Sequence, residues 1–129
     1  MEENFKLEII SPEKILYSKD ARMVTLPSYE GDMSILKNHI SIITFLRPGI
    51  IKVAGNKDAQ YFVEEGTGEF TENNLAILSS TIIEISALSK EKISKMIEEC
   101  RNQLSKENID DKKYYVVSHK ADCLSKINL

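Results

Sequence analysis

The spacing of apolar residues changes once along the chain, near Ala87, and this change constrains the fold more than any other feature. Before it, short runs rich in Ile, Val, Phe, Tyr and Thr alternate with turn sequences, and in Phe5–Ile9 every second residue is apolar. A period of two is typical of a half-buried strand. Many short strands with regular turns predict an antiparallel β-sandwich or barrel, and we place a mainly β domain over residues 1–87.

After Ala87 the apolar residues recur at spacings of three and four, as in an amphipathic helix. Ser89 is a suitable N-cap and Glu91 falls in the first turn, where a negative charge is favourable. Asp110 or Asp111 can cap a second helix, although the β-branched and aromatic residues of YYVV favour strand. The sequence therefore predicts an α-helical hairpin over residues 88–129. Its two apolar stripes comprise Ile93, Met96, Ile97, Cys100 and Leu104, then Tyr114, Val117, Ala121 and Leu124.

Two short helices with one apolar stripe each form only a thin core. The hairpin must therefore gain stability from the β domain or from another protein, and a movable arm is physically reasonable. If the hairpin folds around Ile109, its two cysteines, Cys100 and Cys123, are offset along the helices by about 8 Å. We predict two reduced thiols and no disulfide.

Composition and charge exclude several classes of protein. The 129 residues are 42% hydrophobic with a net charge of -3, which is typical of a globular domain and lacks the basic surface of a nucleic-acid binder. No run approaches the roughly 18 apolar residues of a membrane span, and the acidic start does not resemble a targeting segment. We expect an unexported protein without a direct membrane span. Charge is divided unevenly, because residues 1–85 carry 8 basic and 13 acidic side chains, whereas residues 86–129 carry 9 and 7.

The stretch LPSYEGDMSILKNH, residues 26–39, contains the acids and the imidazole that could form a site. Glu30, Asp32 and His39 do not follow a zinc or EF-hand spacing, so we predict no metal site. Only His39 and His119 could serve as a catalytic imidazole, and no nucleophile or nucleotide-binding motif is present. We therefore predict no catalytic residues, no cofactor and no enzymatic activity. Glu-Gly-Asp is also ordinary turn chemistry and by itself requires no function.

The order and spacing of these segments resemble a known family. SPEKILYS, VTLPSYEGDMSILKNHISIITFLRPGIIKV and EGTGEFTENNLAILSS, followed by a helical hairpin, resemble the epsilon subunit of rotary F-type ATP synthases from about Phe5 to Ala87. The most specific part is P-x-x-x-G-D-x-x-I-L-x-x-H, from Pro27 to His39, followed by L-x-P-G. A free-standing β-sandwich that binds glycans or peptides is the alternative, but it leaves the hairpin and the charge division unused.

The resemblance implies a flattened β-sandwich and two helices on the central rotor stalk, in a non-catalytic subunit present in one copy per complex. Such a subunit couples the gamma subunit to the c ring in proton-driven ATP synthesis. The turn at Glu30, Gly31 and Asp32 matches the loop that faces the c ring, and His39 matches a position that faces gamma. The implied location is the cytoplasmic face of the plasma membrane, as a peripheral component, with the plastid thylakoid as the alternative.

In this family the hairpin is the regulatory part, and in many members it extends into the catalytic head and blocks ATP hydrolysis. The candidate contacts to the alpha and beta subunits are its basic residues, although a solvated helix face explains them equally well. Some members bind ATP near the start of the first helix, but Ser89 and Lys92 here replace the expected acid and arginine. Lysine cannot form the planar two-point contact, which argues against ATP sensing. The basic candidates are Lys112, Lys113, His119, Lys120 and Lys126.

Overall fold

The structure is a computed structural model that describes residues 4–55, 57–106 and 108–127. It contains a β domain followed by a short 3-10 turn at Ile85–Ala87 and two helices, α1 (Lys90–Leu104) and α2 (Asp111–Ser125). The strands are β1 (Phe5–Ile10), β2 (Ile15–Ala21), β3 (Met23–Ser28), β4 (Gly31–Leu36), β5 (Ile42–Leu46), β6 (Gly49–Ala54), β7 (Ala59–Val63), β8 (Gly66–Thr71), β9 (Asn74–Leu78) and β10 (Ile83–Glu84).

The ten strands are hydrogen-bonded into one continuous sheet, in which β3 and β5 are joined only by the pair Ser28↔Leu46. We divide it at this pair into the two sheets of the sandwich, β10-β7-β6-β3-β4 and β5-β8-β9-β1-β2. This confirms the predicted β-sandwich followed by a helical hairpin. The β1–β9 pair is parallel, unlike the other strand pairs of the described chain. Parallel pairing is possible here because the chain between β1 and β9 is long enough to return to the same end of the sheet.

The core lies between the two sheets and is filled by alternate residues of most strands. Phe5, Leu7 and Ile9 of β1 are all buried, as the period of two predicts. The rings of Phe5 and Phe70 meet edge to face, with centroids 5.5 Å apart. This arrangement is favourable for aromatic pairs and adds to the burial of their surfaces.

The apolar run SILKNHISIITF forms two strands instead of one. It is divided after β4 at Asn38, which has φ 68°, a left-handed conformation that asparagine tolerates better than most residues. The Asn38 backbone N–H donates to Oδ1 of Asn73 at 2.7 Å, and Nδ2 of Asn73 donates to Oδ1 of Asn38 at 3.1 Å. This reciprocal pair ties the β4–β5 turn to the β8–β9 turn.

Both helices begin where the sequence predicts. Oγ of Ser89 accepts from the Lys92 backbone N–H at 3.2 Å, and Oδ1 of Asp110 accepts from that of Lys113 at 2.6 Å. YYVV is helical despite its strand propensity, because the Asp110 cap and tertiary packing outweigh local preference. The predicted place of Tyr114 in the apolar stripe of α2 is wrong, since its side chain is 51% exposed.

The hairpin lies folded against the outer face of β6, β7 and β10. Phe62 of β7 is completely buried there, in a cluster that includes Leu88 and Cys100. The hairpin of α1 and α2, which we call the arm, is therefore in a compact form that gains its stability from the β domain. The division between residues 1–87 and 88–129 stays a prediction, because Leu88 belongs to a cluster that contains residues of both parts. Others in that cluster are Ile50, Ile83, Ile93, Val117 and Leu124.

Candidate functional site

A tight hairpin between β3 and β4 carries the acidic turn. Ser28 pairs with Gly31, which leaves Tyr29 and Glu30 as the two turn residues, and Gly31 has φ 114°, a conformation that favours glycine. The Glu30 N–H donates to Oγ of Ser28 at 3.2 Å. Glu30, Gly31 and Asp32 are all exposed and lie together at one end of the sandwich.

Arg47 holds this hairpin in place. Nη2 of Arg47 donates to Oδ1 of Asp32 at 3.1 Å, and its Nε donates to the carbonyl oxygen of Ser28 at 3.2 Å. Below them, the buried hydroxyls of Ser28 and Thr44 are hydrogen-bonded at 2.7 Å and join the two sheets. Arg47 and Thr44 were not predicted from the sequence, although Arg47 stands between the Leu and Pro of L-x-P-G. The acidic turn is therefore fixed to a rigid base.

The Pro and Gly residues of the motif are explained by a close approach of two chain segments. A Cβ on Gly49 would lie 2.5 Å from Cβ of Pro27, and the Arg47 N–H donates to the Pro27 carbonyl oxygen at 2.8 Å. Only glycine fits at position 49 without movement of β3. The two halves of the sequence motif thus meet at one point of the fold.

Replacing Gly49 by alanine should lower the free energy of unfolding by about 1–3 kcal/mol, because a methyl group would overlap Pro27. The melting temperature should fall by about 4–12 °C, measured by circular dichroism. Gly55→Ala is the matched control, since its nearest neighbouring atom would be the Asp20 carbonyl oxygen at 3.4 Å. Equal melting temperatures for the two variants would contradict this explanation of the motif.

His39 lies far from the acidic turn. Glu30 and Asp32 are at the start of the six-residue strand β4 and His39 follows its end, a separation of about 17 Å along the strand. These three residues therefore cannot bind one metal ion, and the described residues hold no cluster of three or more His, Cys, Asp or Glu suited to a metal. The His39 ring packs edge-on against Phe70, and its Nδ1 donates to the Ile40 carbonyl oxygen at 2.7 Å.

An exposed apolar surface covers the outer face of β5 and β9. Phe45 and Leu78 both pair with Thr67 of the intervening strand β8, so their side chains belong to one row across the sheet. Phe45 is 63% exposed and Ile43 is 66% exposed. Large exposed apolar patches mark interaction sites. This surface was not predicted from the sequence. We call it the β5 face and define it as Ile40, Ile43, Phe45 and Leu78.

The basic residues of α2 do not form a single patch. Nζ of Lys120 is paired with Oε1 of Glu64 at 2.5 Å, and Lys126, the C-cap of α2, is paired with Asp122 of the helix at 3.1 Å. The His119 ring lies 4.2 Å from that of Tyr115. Lys112 and Lys113 are exposed at the start of the helix. In the compact arm, Lys120 is thus a contact to the β domain and is not presented to solvent as a free charge.

Both cysteines are free thiols in an apolar environment. Burial raises the pKa of the Cys100 thiol, and it raises the pKa of Cys123 to about 11, while the nearby Arg47 acts in the opposite direction. A raised pKa leaves little reactive thiolate at neutral pH. Cys100 of α1 is 1% exposed and packs in the cluster between the hairpin and the β domain, so its reactivity reports whether the arm is docked.

Among the described residues, no helix has the length and apolar character needed to cross a membrane. Residues 4–85 match the family of the ATP synthase Delta/Epsilon chain, beta-sandwich domain. An ATP synthase epsilon chain of Pelagibacter ubique is 44% identical over 99% of this chain and 100% of its own length. The epsilon chain of Allorhizobium ampelinum is 31% identical over 86% and 80% of the two chains.

Two solved structures share the fold. A chain of the Euglena gracilis mitochondrial ATP synthase, in a structure of OSCP, F1 and c-ring, superimposes with a TM-score of 0.76 at 19% identity and covers 97% of this chain and 79% of its own. A chain from the central stalk and c-ring of the Tetrahymena thermophila enzyme gives 0.64 at 15% identity, over 94% and 93%. With the matched domain and the full-length relatives, these findings show that the chain belongs to the family of ATP synthase epsilon chains.

Proposed function

We propose that this chain is a non-catalytic rotor subunit of the central stalk, which couples the gamma subunit to the c ring during ATP synthesis. The observation that carries the proposal is a rigid sandwich with two separate contact surfaces, the Arg47-anchored acidic turn and the β5 face. A coupling element must transmit torque without deforming. Hydrogen bonds between the two sheets and a continuous core provide that stiffness.

The β5 face is the proposed contact with gamma. It is apolar, exposed and presented by a sheet, which suits the fully buried centre of a protein interface. His39 is next to Ile40, which is 77% exposed, and its ring is held against Phe70. His39 therefore serves the gamma contact by fixing the loop that presents Ile40.

The turn at Glu30, Gly31 and Asp32 is the proposed contact with the c ring. Its carboxylates are exposed, and charges of this kind complement basic loops and fix the register of two partners. Arg47 pairs with Oδ1 of Asp32, but a carboxylate accepts several hydrogen bonds. Because the Asp32 side chain is 70% exposed, it can also accept hydrogen bonds from a partner. The turn thus keeps capacity for a partner while its backbone is fixed.

The arm is the proposed regulatory element, and its release would bring Lys120 and its basic neighbours toward the alpha and beta subunits. Release must break the Glu64–Lys120 ion pair and expose the apolar cluster around Phe62, so the compact form is favoured in the isolated chain. Inhibition of hydrolysis would follow when the extended arm binds the catalytic head. A complex that lacks residues 88–129 yet hydrolyses ATP at an unchanged rate would contradict this role.

As one copy per complex bound to gamma and the c ring, the subunit would be a peripheral component on the cytoplasmic face of the membrane. Affinity purification of the tagged full-length chain from native membranes in mild detergent tests the assignment. Recovery of gamma, alpha, beta and c subunits supports it. Recovery of the chain alone would contradict it and favour the glycan- or peptide-binding sandwich.

Asp32→Lys should weaken the c-ring contact while gamma is retained. Reversing the charge replaces an attraction of up to about 1 kcal/mol by a similar repulsion, so we expect roughly a tenfold loss of binding at low salt. Ionic screening should reduce the difference at high salt. The measurement is the amount of c ring recovered with the variant over a series of salt concentrations.

Asp20→Lys is the control, because Asp20 is an exposed acid on β2, in the other sheet. Asp32→Asn removes the charge but keeps an oxygen that can accept the hydrogen bond from Arg47. It therefore distinguishes loss of the c-ring contact from loss of the Arg47–Asp32 hydrogen bond. If Asp32→Lys recovered as much c ring as Asp20→Lys, the turn would not face the ring.

A further inference from the structure

The docked arm contacts the acidic turn directly. The ring of Tyr29, the first residue of the turn, stacks on Tyr115 of α2 with centroids 5.9 Å apart and 24° between the planes. Tyr115 in turn packs on His119, one helical turn further along, at 4.2 Å. Burial raises the pKa of the Tyr29 phenol, with smaller contributions from Tyr115 and Glu65, in agreement with this close packing. Residues 86 positions apart in the chain thus form one aromatic row.

The base of the same turn also lies near α2. Arg47, which holds Asp32, lines a cleft together with Asp122 and Cys123 of α2. The Arg47 charge acts on the Cys123 thiol, so the two elements are electrostatic neighbours. The Glu64–Lys120 ion pair fastens the middle of α2 to the end of β7. The helix therefore lies next to both Tyr29 and the Arg47–Asp32 pair of the turn.

We infer that Tyr115 and His119 of the docked arm are positioning residues for the turn Tyr29–Asp32, so that docking of the arm and binding at the turn are thermodynamically linked. The inference rests on the proposed function for the identity of the partner at the turn. Linkage is reciprocal: a partner that requires the supported turn favours the compact arm, and release of the arm weakens that partner's contact.

The geometry of the turn explains why such support matters. Arg47 and Ser28 fix its backbone at the base, whereas the Tyr29 side chain at its tip has the arm as its aromatic neighbour. Once α2 moves away, the Tyr29 side chain can change rotamer. The adjacent hydrogen bond from the Glu30 N–H to Ser28 Oγ should then open more often. An aromatic pair at this spacing shifts a local equilibrium by about two- to tenfold.

The experiment compares three variants of the full-length chain. Tyr115→Ala removes the stack, Tyr115→Phe retains it, and Tyr114→Ala is a matched control at the neighbouring, more exposed tyrosine. Two quantities are measured at one pH: hydrogen exchange of the Tyr29 and Glu30 amides by NMR, and alkylation of Cys100 located by peptide mass analysis. We expect Tyr115→Ala to raise both by about two- to tenfold, and the other two variants to match the unaltered chain.

Faster alkylation of Cys100 with unchanged exchange at Tyr29 and Glu30 would overturn the inference, because the arm would then move without affecting the turn. An equal effect of Tyr115→Ala and Tyr114→Ala would overturn it too, since helix stability alone would be responsible. These measurements use the isolated chain. Failure to recover an ATP synthase complex would therefore contradict the proposed function without altering the result for the turn.

The partner side of the linkage is measured in the purified complex. Tyr115→Ala should lower recovery of the c ring in the same direction as Asp32→Lys, while Tyr115→Phe restores it. A complex that contains the Tyr115→Ala variant and retains the c ring in full would overturn the linkage.

Discussion

Replacing Phe62 by alanine is expected to lower the free energy of unfolding by about 3 kcal/mol and to release the arm. Tyr61 and Val63, the neighbours of Phe62 on β7, belong to the core between the sheets, so Phe62 is on the outer face of the strand. It is nevertheless 0% exposed, because α1 and α2 cover it. Its removal therefore leaves a cavity at the contact between arm and sandwich.

Movement of the arm away from β7 would remove that cavity. If most of the lost free energy comes from the contact between arm and sandwich, the equilibrium between docked and released arm changes by about a hundredfold, because each 1.4 kcal/mol corresponds to a factor of ten. Cys100, 1% exposed in the same cluster, should then be alkylated much faster. Burial raises the pKa of the Cys100 thiol. Release of the arm therefore increases its reactivity in two ways, because it exposes the sulfur and lowers the pKa toward its usual value.

Phe70→Ala is the matched control for this experiment. Phe70 is an equally buried phenylalanine of the core between the sheets and has no place in the cluster under the arm. Its removal should lower stability by a similar amount while Cys100 stays protected until the whole chain unfolds. If both variants exposed Cys100 equally, the arm and the sandwich would unfold as one unit. In the assembled complex, a released arm should slow ATP hydrolysis if it inhibits, so an unchanged rate with Phe62→Ala would argue against that role.

The strands show what hydrophobic alternation can and cannot predict. Period two correctly identified β1, and the turn sequences correctly separated most strands. Alternation does not indicate what covers the outer face, however, and both β5 and β7 carry large apolar residues on both faces. Phe62 is buried by the arm and Phe45 is exposed, a difference that depends on where the hairpin docks. That position is a tertiary property that no local pattern contains.

The candidate site was also predictable only in part, because contacts between distant segments are not contained in a local sequence pattern. The Gly-Asp pair identified the turn, since glycine supplies the left-handed φ at position 31. The partners of the turn are distant in sequence: Arg47 reaches Asp32 across β3, and Tyr115 reaches Tyr29 from the arm. The predicted stripe placed Tyr114 in the helix contact, but at this end of α2 the stacking residue is Tyr115. A single-residue rotation of the helix is below what apolar spacing can resolve.

Phe45, the exposed phenylalanine of β5, is the second site where a large effect is expected. Phe45→Glu should reduce binding to gamma by at least a hundredfold and leave the stability of the isolated chain nearly unchanged. Phe45 is 63% exposed, so a carboxylate there remains hydrated in the free protein. In a complex it would be buried among apolar groups without a partner, at a cost of several kcal/mol. Central aromatic residues also carry a large share of interface energy.

Ile15→Glu is the matched control, because Ile15 is 59% exposed on β2 and lies outside the β5 face. Both variants should melt within about 2 °C of the unaltered chain, since exposed substitutions change stability by about 0.5 kcal/mol or less. Recovery of gamma with each tagged variant is the measurement. If Phe45→Glu retained as much gamma as Ile15→Glu, gamma would bind elsewhere and the β5 face would need another partner. Loss of gamma with Phe45→Glu alone would assign the apolar outer face of β5 to the rotor contact, because fold, charge and exposure are matched in the control.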